Sequence, residues 1–151
     1  TGRGRATPGR TGTVTTRRAV LDASAVLAWV LHEDGAEVVE QLLAIGVAPA
    51  SVMVETLYRA QERGHRSSSS DLHDDLLAMG LAVEPVTDAD TVRAAALIAS
   101  SRWARSARSD PSLSLGDGLC IAVAERLDLP LVGSDRHWAS LDLATPYRSF
   151  R

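Results

Sequence analysis

Short apolar runs, bounded by turn-forming residues, alternate with helix-length segments from about residue 18 to the end of the chain. The apolar runs predict strands at 18–22, 47–50 (a strand or a turn), 81–86, 130–133 and 143–147. Between them, apolar residues recur at helical spacing and several segments end at glycine, which predicts helices at 24–33, 36–46, 51–64, 67–80, 87–105, 115–127 and 134–141. Strands separated by helices predict an α/β fold, in which helices cover both faces of an open parallel sheet.

The first residues differ from the rest of the chain in pattern and in charge. Residues 1–16 have no apolar periodicity and contain several turn formers, so we expect a flexible segment. We separate residues 1–17, a flexible basic leader or an artificial extension, from a single domain over residues 18–151. All 16 basic residues are Arg, and the five in the first 18 positions meet no acid, which gives this segment a charge of +5. The remaining 11 Arg stand against all 19 acids, so the rest of the chain carries −8.

The absence of lysine excludes several classes of protein. A P-loop needs a Lys at its phosphates, a pyridoxal enzyme needs a Schiff-base Lys, and a response-regulator receiver normally has a Lys beside its phospho-acceptor. The single cysteine, Cys120, excludes an internal disulfide and a multi-cysteine zinc site, and it favours a reducing compartment. No apolar run approaches the roughly 18 residues that a membrane span needs. We therefore expect a cytoplasmic protein that does not enter the membrane.

Four carboxylates lie where the pattern does not predict surface charge. Asp22 follows Ala-Val-Leu and closes the first predicted strand, and Asp135 follows a later one. Asp117 opens an apolar helix, and Glu55 interrupts a mostly apolar helical segment. Three of the four therefore lie at strand-to-helix turns along one edge of the predicted sheet, and the fourth lies on a helix able to lean over that edge. Open α/β sheets carry their functional sites at the carboxyl ends of the strands.

Each of these acids also has a purely structural interpretation. Asp22 and Asp135 are suited to cap the helices that follow them, the segment 114–117 is a capping-box pattern, and Glu55 precedes an arginine by four residues. Both interpretations stay open for each acid taken singly. As a set, four clustered carboxylates are electrostatically costly, and a divalent cation is the usual compensation. The set predicts a site for Mg²⁺ or Mn²⁺ and the phosphoryl-transfer chemistry that these ions support.

Three segments carry a more specific pattern, and they read VLDASAVLAWV, SVMVETLYRA and LSLGDGLCIAVAERLDLPLVGSDRHWASL. They resemble the PIN-domain ribonucleases of the VapC toxin type, over about residues 19–149. The resemblance implies a three-layer α/β/α PIN-like domain with a central parallel sheet. It also implies a Mg²⁺- or Mn²⁺-dependent endoribonuclease, the toxin of a type II toxin–antitoxin system. Such a toxin forms a homodimer and is restrained by a small antitoxin protein.

The resemblance assigns roles to individual residues of this chain. The four acids match the family's metal-binding set, in which the second acid binds metal or orients the water and the fourth binds directly or through water: Asp22, Glu55, Asp117 and Asp135. Ser24 matches a small hydroxyl residue that the family often has near its first acid. The substrate implied is single-stranded or looped RNA, because unstacked nucleotides bring the phosphate and the base edges within reach.

One position departs from the family pattern. Relatives usually have Thr or Ser two residues before the fourth acid, and this chain has Gly133 there. The neighbouring Ser134 and Arg136 are candidates for a contact with the acids or with the substrate. The departure keeps a second hypothesis open, a PIN-fold binding module with a weak active site. A third hypothesis is a PIN nuclease outside toxin–antitoxin systems.

Overall fold

The structure is a computed structural model that describes residues 15–107 and 110–151. Its strands and helices follow the predicted order closely, and a short 3-10 helix, Arg136–Ser140, precedes the last strand. The strands are β1 (Ala19–Leu21), β2 (Gly46–Pro49), β3 (Ala82–Glu84), β4 (Leu131–Gly133) and β5 (Tyr147–Ser149). The helices are α1 (Ala23–Val30), α2 (Ala36–Leu43), α3 (Ala50–Glu62), α4 (Ser69–Ala78), α5 (Asp88–Trp103) and α6 (Leu115–Leu127).

The five strands form one parallel sheet in the order β3-β2-β1-β4-β5. The connections cross through helices that cover both faces, so the predicted three-layer α/β/α architecture is confirmed. The chain adds strands on one side of β1 first and then returns to add β4 and β5 on the other side. The space between the carboxyl ends of β1 and β4 is therefore the point where the strand order reverses, which is where open α/β sheets form ligand sites.

The core forms where the apolar strands meet the helices. All three residues of β1 and of β4 are buried, as a strand covered on both faces requires. Six of the 13 residues of α6 are buried, all of them in the stretch 118–124 that its apolar sequence predicts to be in the core. Helix α6 packs closely on α5 because Gly118 has no side chain, and a Cβ built there would lie 2.7 Å from the Cγ1 and Cδ1 atoms of Ile98.

The last strand differs from its prediction. The apolar run predicts a strand at 143–147, whereas β5 begins at Tyr147. Pro146 has no N–H and cannot donate to the sheet, although its carbonyl accepts from the Leu131 amide at 2.8 Å. The Thr145 hydroxyl donates to the Leu129 carbonyl, so the residues before Pro146 form an ordered turn instead of a strand.

The beginning of the domain is held by an arginine. One guanidinium nitrogen of Arg17 donates to the carbonyls of Ala44, Gly46 and Gly80, at 3.3, 3.2 and 2.7 Å. Arg17 is thus part of the folded domain, one residue before its expected start, while residues 1–14 of the expected leader lie outside the described residues. Within the described ranges, the structure has no helix that is both long and apolar enough to cross a membrane.

Candidate active site

The carboxyl ends of β1 and β4 lie side by side and form the floor of the candidate site. The Asp22 amide donates to the Val132 carbonyl at 2.9 Å, so the first residue after β1 still belongs to the sheet ladder. The two loops that leave these strands are also joined, because the Ser134 amide donates to the Ser24 hydroxyl oxygen at 3.1 Å. This places Asp22, Ser24 and Ser134 together at the point where the strand order reverses.

Asp22 is a buried carboxylate. It caps α1 by accepting from the Ser24 amide at 3.3 Å, and the Ser24 hydroxyl donates to the same oxygen, Oδ2, at 2.9 Å. Only 8% of Asp22 is exposed. Burial raises the pKa of Asp22 to about 6, the hydrogen bond from the Ser24 hydroxyl opposes this rise, and the nearby charge of Asp117 adds to it. The site therefore has excess negative charge around a carboxylate that water does not stabilise.

Glu55 reaches the site from α3. This helix starts directly after β2, and Glu55 lies half-buried in its second turn. It forms an ion pair with Arg59 at 3.0 Å, as its spacing on the helix predicts. A Cβ built on Gly116 would lie 3.0 Å from Oε2 of Glu55, so a glycine allows the first turn of α6 to approach this carboxylate.

Asp117 lies in that first turn of α6 and completes a capping box. Its Oδ2 accepts from the Ser114 amide at 2.9 Å, while the Ser114 hydroxyl oxygen accepts from the Asp117 amide at 3.1 Å. One helical turn further on, the buried Cys120 thiol lies beneath the acids. Burial raises the pKa of Cys120 well above its usual value, and the charges of Asp22, Asp117 and Glu55 raise it further. The thiol is thus near enough to three of the four predicted acids for their charges to affect its pKa.

Asp135 lies in the loop between β4 and the short 3-10 helix. It caps the short 3-10 helix after β4, and its Oδ1 accepts from the His137 amide at 2.9 Å. Its charge also acts on Tyr147 of β5. Burial raises the pKa of this phenol above its usual value, and the charges of Asp22 and Asp135 raise it further. Asp22 is therefore near enough to both Asp117 and Tyr147 for charge to act between them.

The structural interpretation of each acid is thus correct: three are caps and one forms a helical ion pair. In the described part of the chain, no three His, Cys, Asp or Glu side chains are close enough, as they stand, to hold a metal ion. The arrangement still fits a hard divalent cation, because its donors are carboxylate oxygens and the buried Asp22 has no cationic partner among the residues that the structure describes. A carboxylate has about four acceptor sites, so a capping bond leaves oxygen lone pairs for other contacts. The assignment of these acids as metal ligands stays a prediction.

The remaining candidate residues have different positions. Ser24 lies in the site through its bonds to Asp22 and to the next loop, and Ser134 contributes its backbone amide there. Arg136 is exposed at the start of the 3-10 helix. Sequence reasoning assigned no role to Tyr147 and placed Cys120 only in the core. Cys120 follows Asp117 by three residues on one helix, and this spacing was the sequence signal that its thiol lies near the acids. Tyr147 comes near the acids only because β5 pairs with β4, which no local pattern reveals.

The fold and the site can now be compared with known proteins. The sequence profile of the PIN domain matches residues 19–143, which is most of the chain. The chain belongs to the PIN domain family. The match includes all four acids and confirms the family and the fold that the motifs predict. No curated protein sequence matches the chain.

Solved structures with this PIN fold include three from toxin–antitoxin systems. The chain is similar to DNA-bound VapBC from Salmonella typhimurium, with a TM-score of 0.68 and 10% identity over 90% of this chain and 100% of that one. VapBC2 from Rickettsia felis, bound to a DNA fragment from its promoter, has a TM-score of 0.65 and 16% identity, over 87% of this chain and 97% of that one. The sarcin–ricin loop cleaving toxin VapC20 from Mycobacterium tuberculosis has a TM-score of 0.63 and 14% identity, over 83% of this chain and 95% of that one. At these identities the likeness establishes the fold.

Proposed function

We propose that this protein is a metal-dependent endoribonuclease and the toxin of a type II toxin–antitoxin system. The observation that carries the proposal is the buried carboxylate of Asp22 at the switch point of a PIN sheet, whose pKa the charge of Asp117 raises further. Asp22 caps α1, but the charge of its carboxylate destabilises the metal-free fold, because a raised pKa reflects a cost of the ionised form in the folded state. Such an arrangement is expected where a bound cation offsets the charge.

The residues that would hold Mg²⁺ or Mn²⁺ are the four acids, Asp22, Glu55, Asp117 and Asp135. When bound, the ion supplies a lower pKa for a water molecule and positive charge for the phosphate. Ser24 keeps the Asp22 carboxylate in place by two hydrogen bonds. In the proposed hydrolysis the water oxygen bonds to phosphorus while the bond from phosphorus to the 3′ oxygen breaks. The 3′ oxygen takes up a proton, so the products carry a 5′-phosphate and a 3′-hydroxyl.

An antitoxin partner is part of the proposal, and its support comes from the related complexes and from the surface beside Glu55. A groove of about 410 Å³ runs between α3 and α6, and Glu55 forms part of its wall. Apolar side chains of this groove are exposed to an unusual degree, Val54 to 63% and Leu115 to 71%. Exposed apolar surface next to an active site is suited to a protein that covers it. We also propose that the protein is a homodimer, and light scattering of the purified chain tests this oligomeric state. We further propose that it is located in the cytoplasm.

Cleavage of end-labelled RNA in Mg²⁺, in Mn²⁺ and in EDTA tests the nuclease. We expect the wild type to cleave single-stranded or looped RNA with either ion and to stop in EDTA, and Asp22→Asn to lose cleavage. Asp74→Asn is the matched control, because it removes an exposed carboxylate of α4 by the same chemical change. Cleavage that survives chelation or Asp22→Asn contradicts the proposal. A wild type that binds a partner but never cleaves RNA supports the binding-module hypothesis instead.

A further inference from the structure

Gly133, at the end of β4, has no side chain, and three groups of the acid site therefore pack closely against it. A Cβ built at Gly133 would lie 3.3 Å from the Cβ of Asp22, 3.4 Å from the Ser24 hydroxyl oxygen and 3.3 Å from the Tyr147 hydroxyl oxygen. These three groups therefore surround one point, which is the place where a Ser or Thr side chain at 133 would begin. The hydroxyl that the sequence pattern leads one to expect at 133 is absent, and the phenol of Tyr147 faces the position it would occupy.

Tyr147 reaches this point from the neighbouring strand. Its backbone pairs with Leu131 in the parallel β4–β5 ladder, and its ring packs on Trp138 with centroids 5.5 Å apart and planes inclined by 58°. The hydroxyl oxygen is fully buried and has no hydrogen-bond partner within the described residues. Ring packing accounts for an aromatic side chain here, but phenylalanine would provide it as well.

A buried hydroxyl without a partner destabilises the folded state, because it loses its bonds to water and regains none. At the acid site, an oxygen atom bound during the reaction would supply the missing partner. Asp22 and Asp135 are both near enough for their charges to affect this phenol. A donor beside two carboxylates, bonded to neither, is suited to an oxygen atom that lies between them.

We propose that Tyr147 is a positioning residue of the nuclease, whose hydroxyl, packed beside Gly133, donates a hydrogen bond to the attacking water when the site is occupied. The phenol in this way replaces the hydroxyl side chain that the chain lacks two residues before Asp135. The inference rests on the proposed nuclease function and adds a residue that the four-acid pattern does not include. No proton leaves Tyr147 in this role, since the phenol only orients the water.

Tyr147→Phe removes the hydroxyl and keeps the ring. We expect kcat for RNA cleavage to fall about 10- to 100-fold, as for loss of one hydrogen bond to a charged or reacting group, while KM changes little. In EDTA we expect the Tm of Tyr147→Phe to equal or exceed that of the wild type, because an unpartnered buried hydroxyl is removed. A hydroxyl that only supports the fold predicts the opposite, a lower Tm with kcat unchanged.

A second substitution at 133 provides a rescue and its matched control. In the Tyr147→Phe background, Gly133→Ser restores a hydroxyl at the same place, and Gly133→Ala adds the same Cβ without one. The lost phenol oxygen also removes one of the close contacts that this Cβ would meet. We expect the Ser double variant to regain at least tenfold in kcat over the Ala double variant, at similar Tm.

The outcomes separate this inference from the proposed function. If the wild type cleaves RNA and Asp22→Asn does not, while Tyr147→Phe retains the full kcat, the role of Tyr147 is refuted and the nuclease stands. Equal kcat for the Ser and Ala double variants likewise refutes it. A lower Tm for Tyr147→Phe in EDTA assigns the hydroxyl to the fold. A wild type that does not cleave RNA with Mg²⁺ or Mn²⁺ overturns both proposals.

Discussion

Asp22→Asn is expected to stabilise the metal-free protein while it abolishes activity. The side chain is buried, and burial, with the charge of Asp117, makes its ionised form costly in the folded state. Asparagine is uncharged and nearly the same shape. Its Oδ1 is able to accept both hydrogen bonds that Asp22 receives from the amide and the hydroxyl of Ser24. The substitution therefore removes the electrostatic cost and preserves the cap of α1.

The size of the effect follows from the pKa of Asp22. Folding raises it from 3.8 to about 6, which at 1.36 kcal/mol per pH unit corresponds to about 3 kcal/mol. At pH 7 Asp22 is ionised in both states, and the folded state bears this full cost. Below pH 6 the folded protein takes up a proton while the unfolded chain stays ionised until about 3.8, so the wild type gains stability as the pH falls. Asp22→Asn should be more stable by about 3 kcal/mol at pH 7, with the difference vanishing near pH 4.

Urea unfolding in EDTA, followed by tryptophan fluorescence between pH 4 and 7, measures this difference. The Asp74→Asn control should follow the wild type, because its carboxylate is exposed. Added Mn²⁺ should stabilise the wild type at pH 7 and leave Asp22→Asn unchanged, since an ion that binds only the folded state raises its stability. An Asp22→Asn protein that is less stable than the wild type at pH 7 in EDTA, or a difference that does not depend on pH, would refute the reasoning.

Three further substitutions test the packing and the charges of the domain. Arg126→Met should cost about 1.5–3 kcal/mol in urea unfolding, since the partly exposed Arg126 donates at 2.9 Å to Asp90, which is 1% exposed and would lose this charged partner. Gly118→Ala should lower stability by about 1–2 kcal/mol despite better helix propensity, because its Cβ would meet Ile98; an unchanged Tm would contradict the close approach of α5 and α6. Arg59→Met should tighten Mn²⁺ binding up to about fivefold in calorimetry, because Arg59 competes with the ion for Glu55 and an exposed ion pair is worth at most about 1 kcal/mol. Weaker Mn²⁺ binding by Arg59→Met would argue against Glu55 as a ligand.

The network around Arg126 shows a limit of prediction from sequence. Thr87 and Asp90 form a capping box at the start of α5, and a local pattern of this kind is readable in a sequence. The same Asp90 accepts from Arg126, thirty-six residues away on α6, and sequence patterns do not reveal that contact. Burial alone would raise the pKa of Asp90, but the hydrogen bonds from Arg126 and Thr87 lower it. A local cap thus became the buried half of a partly buried ion pair through packing.

Local patterns were sufficient for the element order, for the parallel α/β fold and for the positions of the four acids at helix starts and on α3. Periodicity, caps and turn residues act over a few positions, so one sequence is enough to read them. The exception among the strands is β5, where the apolar run 143–147 was predicted and Pro146 moved the start to Tyr147.

Packing decided what the local patterns left open, because burial and proximity depend on residues far apart in the chain. Strand order brought the ends of β1 and β4 together and buried Asp22, and this burial, more than its neighbours, raises its pKa. The pairing of β5 with β4 brought the Tyr147 hydroxyl close to Gly133. In the sequence Gly133 was a missing hydroxyl, and in the folded protein its lack of a side chain lets another hydroxyl pack beside Asp22 and Ser24.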